Sequence, residues 1–225
     1  MAHRDSTGSG GVIGEGDVQW MTAGAGIVHE EFHAESFGKR GGEFEMAQLW
    51  VNLPAKDKKT PARYQHLAKD NITVVPLADD AGHARIIAGR FGNTDGAAET
   101  FTELNVWDIV LNSGAGADLD VPASHNLMLV VLRGEVRING GQSVQASQMA
   151  TFERESGSVK VEAVGGEAKI LLLSGVPIDE PVVGYGPFVM NSDEEIQQAL
   201  EDFRSGQFGR IPAAERHAST AVLNH

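Results

Sequence analysis

Apolar positions along this chain fall in short runs separated by glycines and polar turns. The runs are Val18–Met21, Met46–Val51, Ile72–Val75, Arg85–Ala88, Val106–Leu111, Leu127–Leu132, Glu135–Ile138, Val159–Glu162 and Ile170–Leu173. Each is rich in β-branched or aromatic residues and too brief for a buried helix, so each predicts a strand. Many short strands with turn signals between them predict an all-β barrel or sandwich. One stretch breaks the pattern. Ile196, Ala199, Leu200 and Phe203 recur at helical spacing, Ser192 and Glu195 stand as a capping box, and Gly206 offers a stop. A helix over 192–205 is expected, followed by a weaker one over 213–221 and a frayed tail.

The order of elements repeats. From Arg4 to Pro54 and again from Gly134 to Pro177, a strand leads through a Gly-rich turn into further strands, and an apolar run ends in proline. Two copies of one β-barrel unit account for this. The boundaries predicted are a first unit over 1–65, a second over 66–180, and a C-terminal extension over 181–225. The first copy is shorter at its start, since the second has strands before Gly134 that the first has no residues to match.

Composition narrows the function. The 225 residues contain no cysteine, which excludes disulfides, thiolate metal sites and cysteine nucleophiles. A net charge of -13 repels phosphate backbones, so direct nucleic-acid binding is not expected, whereas a basic protein partner suits it. No run approaches the roughly 20 apolar residues of a membrane helix. The start, Met1-Ala2-His3-Arg4-Asp5, has no apolar core of a signal peptide, which predicts a cytoplasmic protein.

The segment richest in chemistry is Gly24-Ala25-Gly26-Ile27-Val28-His29-Glu30-Glu31. On a strand, His29 and Glu31 share one face and Glu30 takes the other. An imidazole and a carboxylate side by side can chelate a divalent ion. From spacing alone a polar pair on a solvated strand is the commoner explanation. Ala23-Gly24-Ala25-Gly26 does not make a dinucleotide loop, because His29 stands where the third glycine belongs and no βαβ unit follows. His3, His33, His66 and His83 are expected at the surface, with His33 near enough in sequence to approach His29. His125 lacks a ligand two residues on, so the second unit is expected to be metal-free. Trp20, Trp50 and Trp107 are expected as core or pocket wall. There is no Gly-x-Ser-x-Gly elbow to support a serine hydrolase.

Together these segments resemble the pirin family of the cupin superfamily. Gly16 through Glu31 is similar to its second cupin motif, Gln48–Pro54 with Tyr64-Gln65 to the stretch that follows, and Glu180–Arg204 to its C-terminal signature. The resemblance implies an all-β bicupin: two stacked β-barrels, here with the N-terminal one incomplete, and a C-terminal helix. It implies one Fe(II)-type or other divalent ion held by three histidines and a glutamate. His29 and Glu31 match the later two ligands. The earlier His-x-His pair lies, in the family, upstream of the segment similar to Met1–Ser6, so an incomplete site and an open barrel edge are expected, with oligomerisation through that edge. An internal start, a degenerate paralogue and a self-repairing oligomer all stay open. The resemblance implies either a quercetin 2,3-dioxygenase-type oxygenase acting on a flavonol, with Glu31 as catalytic base, or a non-catalytic redox-sensing module that binds a protein partner.

Overall fold

The computed structural model describes residues 1–154 and 157–212, so the expected second helix over 213–221 lies outside the described residues. The N-terminal unit is built from β1 (Ala2–Asp5), β2 (Gly10–Val12), β3 (Val18–Thr22), β4 (His29–Phe32), the short helix α1 (Glu35–Arg40) and β5 (Arg63–Leu67). Strand β1 is central, antiparallel to β2 on one side and to β4 on the other, while β3 pairs with β5.

The second unit follows as β6 (Val74–Pro76), β7 (Gly82–Ala88), a hairpin of β8 (Arg90–Phe91) and β9 (Thr94–Asp95), β10 (Leu104–Leu111) and β11 (Gly116–Val121). It continues through β12 (Asn126–Arg133), β13 (Glu135–Ile138), β14 (Ser143–Gln145), β15 (Met149–Phe152), β16 (Gly157–Ala163) and β17 (Ala168–Gly175). Six of these form one sheet in the order β15-β12-β17-β10-β7-β6, and four form the facing sheet β11-β16-β13-β14.

Strand β10 explains how the two units join. It is buried on both faces along most of its length, as a central strand with cover on either side must be. Trp107, Ile109 and Leu111 point between the two sheets, into a core with Leu119, Leu129, Val136, Val161, Ile170 and Leu172. Leu104 and Val106 take the other face and meet Leu67, Ile72, Ile87 and Leu171, with Val18 and Trp20 packed against them. The outer face of the six-stranded sheet is therefore the wall on which β3 and β5 of the first unit rest.

The chain closes with the hairpin β18 (Val183–Tyr185) and β19 (Phe188–Met190) and the helix α2 (Asp193–Arg204). The Ser192 hydroxyl accepts from the Glu195 N–H at 3.3 Å, and the Glu195 carboxylate accepts from the Asn191 N–H at 2.9 Å. The N-terminal N–H groups of α2 are thus partly satisfied by side chains, with Asp193, Glu194 and Glu195 favoured there by the helix dipole. Gly206, at φ 80°, ends the turn after it.

One predicted strand is absent. Met46–Val51 has the alternation of a strand, but residues 41–54 form no regular structure. A strand exists only where a neighbour takes up its N–H and C=O groups, and among the described residues no strand lies alongside. Its apolar side chains stay outside, and Trp50, expected in the core, is 68% exposed. Trp107 is core at 1% exposure, and Trp20 is half-buried between the units.

Candidate metal centre

The register of β1 against β4 sets His3 opposite Glu31 and Asp5 opposite His29. Side chains alternate along each strand, so all four project to the same face. Arg4 and Glu30 take the reverse face, where they form an ion pair. The strands enter this register because the turn before β4 is tightly fixed. Gly24 sits at φ 56°, and a Cβ there would lie 2.0 Å from the Thr60 carbonyl oxygen; the Ala25 N–H donates to that same oxygen. The glycine-rich segment thus serves chain direction rather than phosphate binding.

His3 is 2% exposed, which corrects the surface position expected from its sequence context. Its ring stacks on Tyr64 with centroids 5.1 Å apart and lies 5.5 Å from the His29 ring. Its Nε2 is 3.3 Å from Asp5 Oδ2, and its Nδ1 is 3.1 Å from Gln19 Nε2. Asp5 is itself buried, and its Oδ1 accepts from the Thr7 N–H, the Thr7 hydroxyl and the Ser9 N–H. Burial pushes the Asp5 carboxyl up, but hydrogen bonds from Thr7, His3 and Ser9 together outweigh it and hold the group below the usual aspartate value. Burial also raises the Tyr64 phenol, with the charges of Asp5 and Glu31 adding to it.

Glu31 is half-buried and accepts two side-chain amides: Gln19 Nε2 at 3.3 Å on one oxygen and Gln48 Nε2 at 3.2 Å on the other. His29 is more exposed. Donor atoms of His3, His29 and Glu31 all lie within 4.8 Å of one another, the one such group of three among the described residues. Metal–donor bonds of about 2.1 Å place adjacent donors roughly 3–3.5 Å apart, so three donors all within 4.8 Å of one another stand near coordinating distance. The Gln19 amide stands between His3 and Glu31. Two imidazoles and a carboxylate suit Fe(II) and its divalent neighbours, and the donors present fit such an ion. Two buried polar atoms at this site, the Tyr64 hydroxyl and Gln19 Oε1, have no hydrogen-bond partner.

The other histidines stand apart. His33 is exposed and packs on Phe37 and Phe44 rather than entering the donor group. His66 is exposed and His83 half-buried. In the second barrel, buried His125 reaches the Ser174 hydroxyl at 3.2 Å, and Asn105 donates to the same hydroxyl at 2.9 Å. A cavity of about 760 Å³ opens beside this cluster, lined by Arg90, Glu103, Asn105, Asp120 and Ser158 among others, and it holds none of the three donors. A signal for His3 was present in the sequence: His3-x-Asp5 has the same two-residue spacing as His29-x-Glu31.

Two β-barrel units sharing a wall, with histidines and a glutamate converging on the strands of one, define a bicupin. Comparison with known proteins narrows this. Residues 1–51 match pirin and residues 106–209 match the pirin C-terminal cupin domain. A Pseudomonas aeruginosa protein provisionally named quercetin 2,3-dioxygenase is 51% identical over 210 residues, covering 93% of this chain and 73% of its own length. A pirin-like protein of Caulobacter vibrioides is 39% identical, over 92% of this chain and 73% of its own. The crystal structure of a quercetin 2,3-dioxygenase from Acinetobacter baumannii superposes with a TM-score of 0.90 at 46% identity, covering 94% of this chain and 73% of the other. The chain belongs to the pirin family, and its fold is an all-β bicupin with a C-terminal helix. Among the described residues no helix is long and apolar enough to cross a membrane.

Proposed function

We propose that this chain binds one divalent ion, of the Fe(II) type, at His29 and Glu31, and uses it to oxygenate a flavonol-type substrate as quercetin 2,3-dioxygenases do. The observation that carries this reading is the convergence of His29 and Glu31 with buried His3 on one face of the β1–β4 pair. When bound, the ion supplies Lewis acidity toward a coordinated hydroxyl and an exchange of electrons with O₂. The chain's own residues supply the rest. Glu31, with Gln48 donating to Oε2, is positioned to take the proton of the substrate hydroxyl. Stacking against Tyr64 keeps His3 dry and fixed in place.

Metal content after Fe(II) loading and desalting tests the reading. About one ion per chain is expected in the wild type and none in a variant carrying both His29→Ala and Glu31→Ala; flavonol consumption under O₂ should follow the ion. A wild type that retains no ion would sink the proposal.

A second reading, a regulatory module that binds a basic protein, is favoured by a different observation. Phe44, Met46, Leu49, Trp50 and Val51 form a solvent-facing apolar run on a chain of net charge -13. Ion retention without any flavonol consumption would favour this reading over the first.

A further inference from the structure

We propose that His3 is a third ligand of the same ion through Nδ1, that Asp5 holds it in the ligating tautomer, and that the Gln19 amide occupies the site until an ion displaces it. The inference rests on the metal-binding reading above and extends it to three residues which that reading does not use as ligands.

The tautomer follows from counting donors. Asp5 Oδ1 already accepts three hydrogens, two from Thr7 and one from Ser9, so Oδ2 is the oxygen left to face His3. A carboxylate only accepts. His3 Nε2 therefore carries the hydrogen, and the lone pair stands on Nδ1. A ligating histidine whose other nitrogen donates to a carboxylate is the arrangement that orients imidazoles around metal ions. Here the carboxylate comes from the same strand, two residues along, and the ring is clamped on its flat side by Tyr64.

Gln19 marks where the lone pairs meet. Its amide nitrogen has two hydrogens and no lone pair to offer, and it stands 3.1 Å from His3 Nδ1 and 3.3 Å from Glu31 Oε1. One partially positive group thus sits between two converging acceptors, the place a cation would take. The other end of the amide gains nothing from this position, since Gln19 Oε1 is buried without a partner. An amide bound at one end and orphaned at the other is displaceable: swinging it aside gives up two hydrogen bonds and frees an unsatisfied oxygen.

Pulsed electron paramagnetic resonance of the Cu(II)-loaded chain, which counts coordinated imidazoles through their remote nitrogens, separates the alternatives. Co(II) titration followed by calorimetry supplies the affinities. Two imidazoles are expected in the wild type, and one each in His3→Gln and His29→Gln. Asp5→Asn should keep two imidazoles while weakening Co(II) binding about tenfold, and Gln19→Ala should tighten it several-fold. Far-ultraviolet circular dichroism confirms that each variant folds. A single imidazole in the wild type, or two retained in a folded His3→Gln, overturns the role of His3 and leaves the metal-binding reading standing. A wild type that binds no ion overturns both.

Discussion

Asp5 is a charged side chain at 1% exposure, and its burial is tolerable only because Thr7, Ser9 and His3 all turn donors toward it. Replacing it with alanine strands those donors, and a cost of roughly 3 kcal/mol in urea unfolding is expected. The pH dependence has a definite sign. A carboxyl held below its unfolded value contributes stability that is complete above that unfolded value and is lost as pH falls through the lower folded one. The stability gap between wild type and Asp5→Asn should hold steady at neutral pH and close only in acid, below the ordinary aspartate range; a gap unchanged across that range would contradict the ionised assignment. The same residue shows what sequence conceals. His29 and Glu31 are singled out in the sequence by their resemblance to a family motif, whereas the burial of His3 depends on β1 pairing with β4 in one register, across some two dozen intervening residues. Local periodicity carries no information about that.

At the scale of elements, the strands most legible in advance are those that send side chains into the core between the two sheets. Glu135–Ile138 has the bounds its residues predict, and Val106–Leu111 extends only to Leu104. Their side chains are decided by the core they enter. Met46–Val51 has comparable apolar character and forms no strand, because strand formation requires a backbone partner and not only a pattern. The turn into β4 is constrained more tightly than its small residues suggest. Gly26 lies at φ 134°, and a Cβ there would fall 2.2 Å from the Phe208 ring. Gly26→Ala should therefore destabilise by about 2–3 kcal/mol, combining backbone strain with the displaced ring. A melting temperature equal to wild type would show that the turn and Phe208 readily give way.

At the scale of the molecule, the two ends of the described chain are in contact. Ser6 donates its hydroxyl to the Phe208 carbonyl at 2.5 Å and accepts from the Val28 N–H at 3.1 Å, while Phe208 covers Gly26 and packs near Phe188 and Phe203. The segment after α2 thus braces the loops that carry β1 and β4. Phe208→Ala should cost about 3 kcal/mol as a buried aromatic truncation and speed the loss of a bound ion to a chelator, although it touches no donor; an unchanged release rate would show that the brace and the donors are uncoupled. The all-β class was visible in the many short strand runs and the bicupin arrangement in the resemblance carried by Gly16–Glu31 and Glu180–Arg204, whereas this closure of one end on the other was not, since no periodic pattern links Ser6 to Phe208. It also bears on synthesis. Chains emerge from the ribosome N-terminus first, so the strands bearing His3, His29 and Glu31 are made well before the segment around Phe208 that braces them. An ion offered to nascent chains should therefore exchange freely until Phe208 has emerged and closed on Ser6 and Gly26.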